Sequence, residues 1–329
     1  MNKIERVQAV LAGRRPDRPP VSFWYHFASE AVSGPPAIDA HLKHLEKWDL
    51  DYLKVMNDNG YPRDVATIAD ADDLLDLTVH GPDAPQFADQ LGLIEGLAKR
   101  LKGQVLMTTT IFNPWAVLRG LTEPVRSYHG PPVLALSEDA RDQVLSSMLE
   151  LDRKRVGLAL MKIAESLAGF ARACIQAGAD GIFLSVRDDW VDTERNGRGT
   201  YDELVAPADR LILDAARDAS FNMLHACGKP QNLERFAGYP NVHVINWADR
   251  AAGPSIAEVR DRLKPAISAG VDNLQTLPRG KPEDVRREVL DALQQAGPRP
   301  IMISPGCTYA SDQVPDENLR ALIDAARQK

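Results

Sequence analysis

Cysteine is scarce: there are three in 329 residues. That excludes a disulfide framework and leaves metal binding or thiol reactivity as the uses for any that meet in space. Long apolar runs are missing too, and no stretch reaches the roughly 18 residues that a membrane-spanning helix needs. Neither G-x-G-x-x-G nor G-x-x-x-x-G-K-[ST] occurs, so the usual glycine-rich cradles for dinucleotides and nucleoside triphosphates are absent. Basic charge is outweighed, with 39 Lys and Arg against 46 Asp and Glu for a net charge of -7. Without a Lys/Arg-rich stripe, a nucleic-acid partner is excluded. The opening Met1-Asn-Lys-Ile-Glu-Arg-Val7 lacks the apolar core of a secretory leader, and the expected location is the cytoplasm.

What is present is an ordinary globular balance, 44% apolar and 26% charged. Strand-like apolar runs recur at residues 20–26, 52–56, 105–111, 181–186, 222–225, 242–247 and 300–304, with a weaker one at 273–276. Helical patterns lie between them, at 137–177, 206–219, 255–268 and 282–295, with a terminal helix over 315–328. Alternating strands and helices force parallel pairing with right-handed crossovers. Eight such units predict a (β/α)₈ TIM barrel forming one domain over residues 1–329. An open doubly wound sheet is the alternative, without the phosphate fingerprint that would favour it. Residues 195–199 hold two glycines and read as a surface turn that a mobile flap would also suit.

Barrel chemistry gathers at the carboxyl ends of the strands. Three residues there stand out. In Phe221-Asn-Met-Leu-His-Ala-Cys-Gly228, His225 and Cys227 are two positions apart, so at a strand end both side chains face one point. Cys307 ends Ile301-Met-Ile-Ser-Pro-Gly-Cys307 after another apolar strand and a Pro-Gly turn. One imidazole and two thiols suit Zn²⁺, and three protein ligands leave a fourth position open for a reactant. The competing reading is that each cysteine is a small buried hydrophobe. That reading fits Cys174, on the apolar side of a helical pattern.

The layout from Arg18-Pro-Pro-Val21 through Ser304-Pro-Gly-Cys307 to Val314-Pro-Asp-Glu-Asn-Leu-Arg-Ala-Leu322 resembles the uroporphyrinogen decarboxylase superfamily over nearly the whole chain. The decarboxylases of that superfamily use an Arg-rich segment after the first strand to neutralise a polycarboxylate macrocycle. Here that segment is Ser22-Phe-Trp-Tyr-His-Phe-Ala-Ser-Glu30, with no arginine to pair with such a polyanion. The His-x-Cys-Gly and Ser-Pro-Gly-Cys segments are instead similar to the zinc-dependent methylcobamide:coenzyme M methyltransferase branch, in which they carry the zinc ligands. Cobalamin-independent methionine synthases are more distant relatives with a comparable site.

That resemblance implies methyl transfer between a corrinoid, or another activated donor, and a thiol at the fourth zinc position. His225, Cys227 and Cys307 are then the metal ligands. Asp58, Asp188 and Tyr25 are the expected catalytic side chains, and Trp24, Trp115, Trp190 and Asn57 the expected lining for a cofactor. Asp58, Asp188, Asp189 and Asp249 are candidates for a fourth ligand or for a partner to His225. Each of these aromatics serves a core equally well, and each aspartate a helix cap. Tyr128-His-Gly130 lacks the Asp-x-His-x-x-Gly pattern that supplies a lower cobalt ligand, so a corrinoid would come free or on a separate corrinoid protein. The expected partners are thus a small-molecule thiol or methyl donor and that protein, with a homodimer also open. Two further readings remain: a metal-free lyase acting on a carboxylate-rich substrate, and a non-catalytic corrinoid- or thiol-binding protein.

Overall fold

The computed structural model describes residues 1–123 and 138–328, so the Tyr128–Gly130 segment lies outside the described residues. Seven parallel strands run in sequence order: β1 Tyr52–Val55, β2 Leu106–Phe112, β3 Gly181–Val186, β4 Met223–Ala226, β5 Val244–Trp247, β6 Ala266–Val271 and β7 Ile301–Pro305. Helices such as Pro85–Leu101, Ala206–Ala215 and Pro282–Ala296 connect them on the outside. The architecture is a TIM-barrel-like α/β fold. None of the described helices is long and apolar enough to cross a membrane.

The expected strand at 20–26 is reduced to a single bridge, Val21 to Ile303. Pro20 offers no N–H, so only its carbonyl joins the ladder, accepting from Ile303 N at 2.9 Å while Ser22 N donates to Ile303 O at 3.3 Å. On the other side Val21 O accepts from Asp51 N at 2.9 Å, so this short stretch spans the gap between β7 and β1. Residues 273–276 are not a strand but a turn into a short helix, Thr276–Arg279. The strand of that unit is β6, which overlaps the expected helix at 255–268; the helix there covers only Ile256–Val259. Pro265 cannot continue a helix, and the small residues after it extend instead. The expected helix at 137–177 runs over Glu138–Gln176 with a break at Asp152 (φ -152°, ψ 79°), whose carboxylate accepts from Arg155 N.

Alternation along the strands builds two rings inside the barrel. Tyr52, Leu106, Phe183, Met223, Val244, Ala266 and Met302, one from each strand, are buried together as an apolar floor. Two residues further along each strand come Lys54, Thr108, Ser185, His225, Asn246, Ser268 and Ser304, all buried and all polar. The other face of each strand packs under the helices in the main core, with residues such as Leu53, Ile182, Leu224, Ile245, Ile267 and Ile303. Cys174 is fully buried in that core, and burial pushes its thiol well up.

Candidate metal centre

His225 is the penultimate residue of β4, and Cys227 follows the strand, anchored by its N–H to Val186 O at 2.8 Å. Gly228 then turns in the left-handed region (φ +69°), where an added Cβ would lie 2.4 Å from Arg187 Nε. Cys307 follows β7 across Gly306, whose own Cβ would meet Ala248 Cα at 2.5 Å, so only glycine lets the chain pass there. The imidazole and the two thiols converge: their ligand atoms all lie within 4.8 Å of one another. A tetrahedral zinc with bonds of about 2.0–2.3 Å spaces its donors by roughly 3.3–3.8 Å, which this cluster reaches with small side-chain adjustments.

His225 Nδ1 lies 2.6 Å from Asn246 Oδ1 and donates to it, which leaves Nε2 as the lone-pair nitrogen. Nε2 is buried and has no hydrogen-bond partner among the described residues. An orphaned acceptor beside two thiols is what a soft divalent cation would satisfy. The Cys307 thiol is drawn well below the ordinary range, first by Cys227, which donates to it. Cys227 is pushed up, first by that same contact and then by burial.

Asn246 is held in turn, its Nδ2 donating to Ser268 O at 2.8 Å, Pro305 O at 3.1 Å and Ser304 Oγ at 3.2 Å. Ser268 Oγ donates to Ser304 Oγ at 2.8 Å and sits 2.9 Å from Tyr52 Oη. A chain of hydrogen bonds thus crosses the barrel beneath the cluster and fixes the imidazole plane. Phe183 stacks on the other side of that support, with its ring centroid 5.4 Å from that of His225.

The profile of the family described as Uroporphyrinogen decarboxylase (URO-D) matches residues 53–329. The chain belongs to the uroporphyrinogen decarboxylase family. Among solved structures, a methyltransferase from Methanosarcina mazei superimposes with a TM-score of 0.74 at 15% identity, covering 99% of this chain and 98% of its own. A putative vitamin-B12-independent methionine synthase from Listeria monocytogenes gives a TM-score of 0.53 at 13% identity, covering 88% of this chain and 84% of its own. At these identities the likeness establishes the fold alone. No curated protein matches the chain.

The other residues singled out in this uroporphyrinogen decarboxylase family member lie at varied distances from the cluster's support. Trp24 is buried edge-on to Phe183, 5.3 Å between centroids. Tyr25 joins an aromatic group with His44 and Tyr309, at 5.0 and 5.5 Å. Asp58 pairs with His26 Nδ1 at 2.7 Å, and Asn57 Nδ2 donates to Thr110 O at 3.1 Å while its Oδ1 stays buried without a partner. Trp190 lies between two guanidinium groups, Arg119 and Arg187, each 3.9 Å from the ring. Trp115 is buried in the layer between sheet and helices rather than in the lumen. Asp188 accepts from Gln231 N at 2.9 Å and Asn232 N at 3.0 Å, so it holds the loop after Cys227. Asp189 clamps Arg187 at 2.7 Å and accepts from Lys229 N at 3.2 Å. Asp249 accepts from Gly270 N at 3.0 Å, and burial pushes its carboxyl up to about 6. Residues 195–199 form a turn tied to the long helix by Arg195 and Glu150 at 2.8 Å.

Sequence reasoning passed over Asn246 and Lys54. The signal was a polar residue inside an apolar strand, Val-Ile-Asn-Trp247 and Tyr-Leu-Lys-Val55, on the register that faces inward.

Proposed function

We propose that this chain is a zinc-dependent methyltransferase that moves a methyl group between a corrinoid, or a similar activated donor, and a thiol acceptor. The observation that carries the reading is the orphaned, buried His225 Nε2 within 4.8 Å of two thiols. Bound zinc would supply Lewis acidity that strips the proton from a thiol and leaves a nucleophilic sulfur at neutral pH. The protein's own groups do the rest. Asn246 fixes the imidazole with Nε2 toward the cluster, and with zinc bound Cys227 and Cys307 would supply the anionic sulfurs. Asp188 and the Arg187–Asp189 pair brace the loop on which Cys227 sits. Trp24, Tyr25 and Tyr309 give the neighbouring wall an apolar character that suits a macrocycle face. The fold neighbour from Methanosarcina mazei, named a methyltransferase, supports the same reaction class. A corrinoid would be delivered free or on a separate protein.

The decarboxylase reading finds less support, because residues 22–30 carry no arginine to pair with a polycarboxylate. Elemental analysis of protein purified without chelator tests the proposal, with about one zinc per chain expected and a marked loss in Cys227→Ser. Loaded protein should then demethylate methylcobalamin, followed by absorbance, with at least one member of a thiol panel. Wild-type protein free of bound metal would sink the proposal; metal without turnover would favour a binding protein.

A further inference from the structure

Lys54 is the one member of the polar ring that carries a fixed charge, and it is 4% exposed. Tyr52, two residues earlier, reaches across the lumen to Ser268 on β6, so Lys54 points inward as well, one ring nearer the cluster. Its Nζ donates to Met56 Sδ at 2.9 Å and stands 4.9 Å over Phe183, the ring that stacks on His225. Trp24 lies 5.8 Å to its side. Among the described residues no carboxylate forms an ion pair with it; the negative field it feels comes from Cys307, Asp58 and Cys227.

A buried ammonium without a paired anion is costly, and the cation–π contacts to Phe183 and Trp24 offset only part of that cost. Two cysteine thiolates, a neutral imidazole and a divalent cation sum to zero, so a loaded centre would leave the ammonium with only Asp58, itself paired with His26, as a source of negative field. A third thiolate gives the centre one negative charge, which the ammonium balances. Burial pushes the Lys54 ammonium down to about 8, against the pull of the two cysteines and Asp58.

We propose that Lys54 is the counter-charge for an anionic sulfur reactant at the metal centre, a positioning residue that favours a thiolate over a neutral ligand in the open position. This rests on reading His225, Cys227 and Cys307 as that centre. It requires no charge elsewhere on the reactant.

The test uses cobalt(II)-substituted protein, in which a bound thiolate gives a charge-transfer absorbance. Titrations with 2-mercaptoethanol and with 3-mercaptopropionate are compared in wild type, Lys54→Met and Lys54→Arg. Lys54→Met should weaken both thiols by about tenfold or more, as expected for one unit charge in a poorly screened interior, while Lys54→Arg recovers most of the affinity. Cobalt content and circular dichroism must match wild type; where Lys54→Met fails that criterion, Lys54→Gln replaces it. Equal titrations in wild type and variant would overturn the proposal. So would a loss confined to 3-mercaptopropionate, which would make Lys54 a receptor for the ligand's carboxylate. Absence of any response in wild type would instead take down the thiol reading itself.

Discussion

An imidazole binds a metal through whichever nitrogen its other partner leaves free, and at His225 that partner is a neutral amide. Asn246 accepts from Nδ1 and is itself locked by three donations to β6 and β7, so it can present only its oxygen to the ring. Removing such a support from a metal ligand weakens affinity by about 10–100-fold. On the zinc reading proposed above, Asn246→Ala is therefore expected to lose the metal to a competing chelator at correspondingly lower concentration, with His225, Cys227 and Cys307 intact. Unchanged zinc retention would mean that Phe183 alone orients the ring. The grouping of His225, Cys227 and Cys307 was readable in the sequence, because each sits just past an apolar run and beside a glycine or a one-residue strand spacer. The partner was not. Aspartates 58, 188, 189 and 249 looked chemically suitable, yet the Nδ1 partner follows from which strand lies next to β4, and the register His225 to Asn246 exists only once the sheet is formed.

Between β7 and β1 stands only a single-residue bridge at Val21, and Asp51 fastens it. The buried carboxylate accepts from Val21 N at 2.8 Å, Arg6 Nη1 at 2.7 Å and Arg18 Nη1 at 2.7 Å, while Asp51 N donates to Val21 O. Asp51→Ala leaves two mostly buried guanidiniums without this anion, a loss on the order of 3–5 kcal/mol. Urea unfolding monitored by tryptophan fluorescence should show it, and a change below about 1 kcal/mol would mean that the bridge stands without the clamp. Most of the other elements were legible, since long helices such as 282–296 and strands such as 181–186 keep a clean period and clear stops. The errors fall where composition misleads. Ala266, Ile267 and Ser268 fall inside the expected helix at 255–268, yet they open a strand, Ala266–Val271, because that segment lies between β5 and β7. Trp24, Tyr25 and His26 read as strand by their side chains, but the backbone leaves the sheet after Ser22.

At the scale of the molecule, titrating groups sealed behind the barrel set how stability follows pH. Asp209 is completely buried on the helix Ala206–Ala215, accepting from Tyr201 Oη at 2.7 Å and Tyr239 Oη at 3.2 Å. Burial outweighs these hydrogen bonds and pushes its carboxyl up to about 7. Between about 4, where an unfolded aspartate ionises, and 7, the folded chain holds a proton that the unfolded chain has released. This group's contribution therefore falls as pH rises through that window and levels off above it. His41 and His44 act in the opposite sense. Burial lowers both to about 4, so from there to about 6.5 the unfolded chain binds the extra protons and stability rises with pH. The two tendencies oppose each other at mildly acidic pH. Asp209→Asn keeps an oxygen for the tyrosines and removes only the falling arm, so its stability relative to wild type should climb from pH 4 to 7 by up to about 1.4 kcal/mol per unit and then stay level. His41→Gln should tilt the profile the other way between pH 4 and 6.5. Thermal melts of both variants across pH 4–8 decide the matter: parallel profiles for wild type and Asp209→Asn would show that this carboxyl ionises in the folded chain at an ordinary pH, with the tyrosine hydroxyls and not desolvation in control.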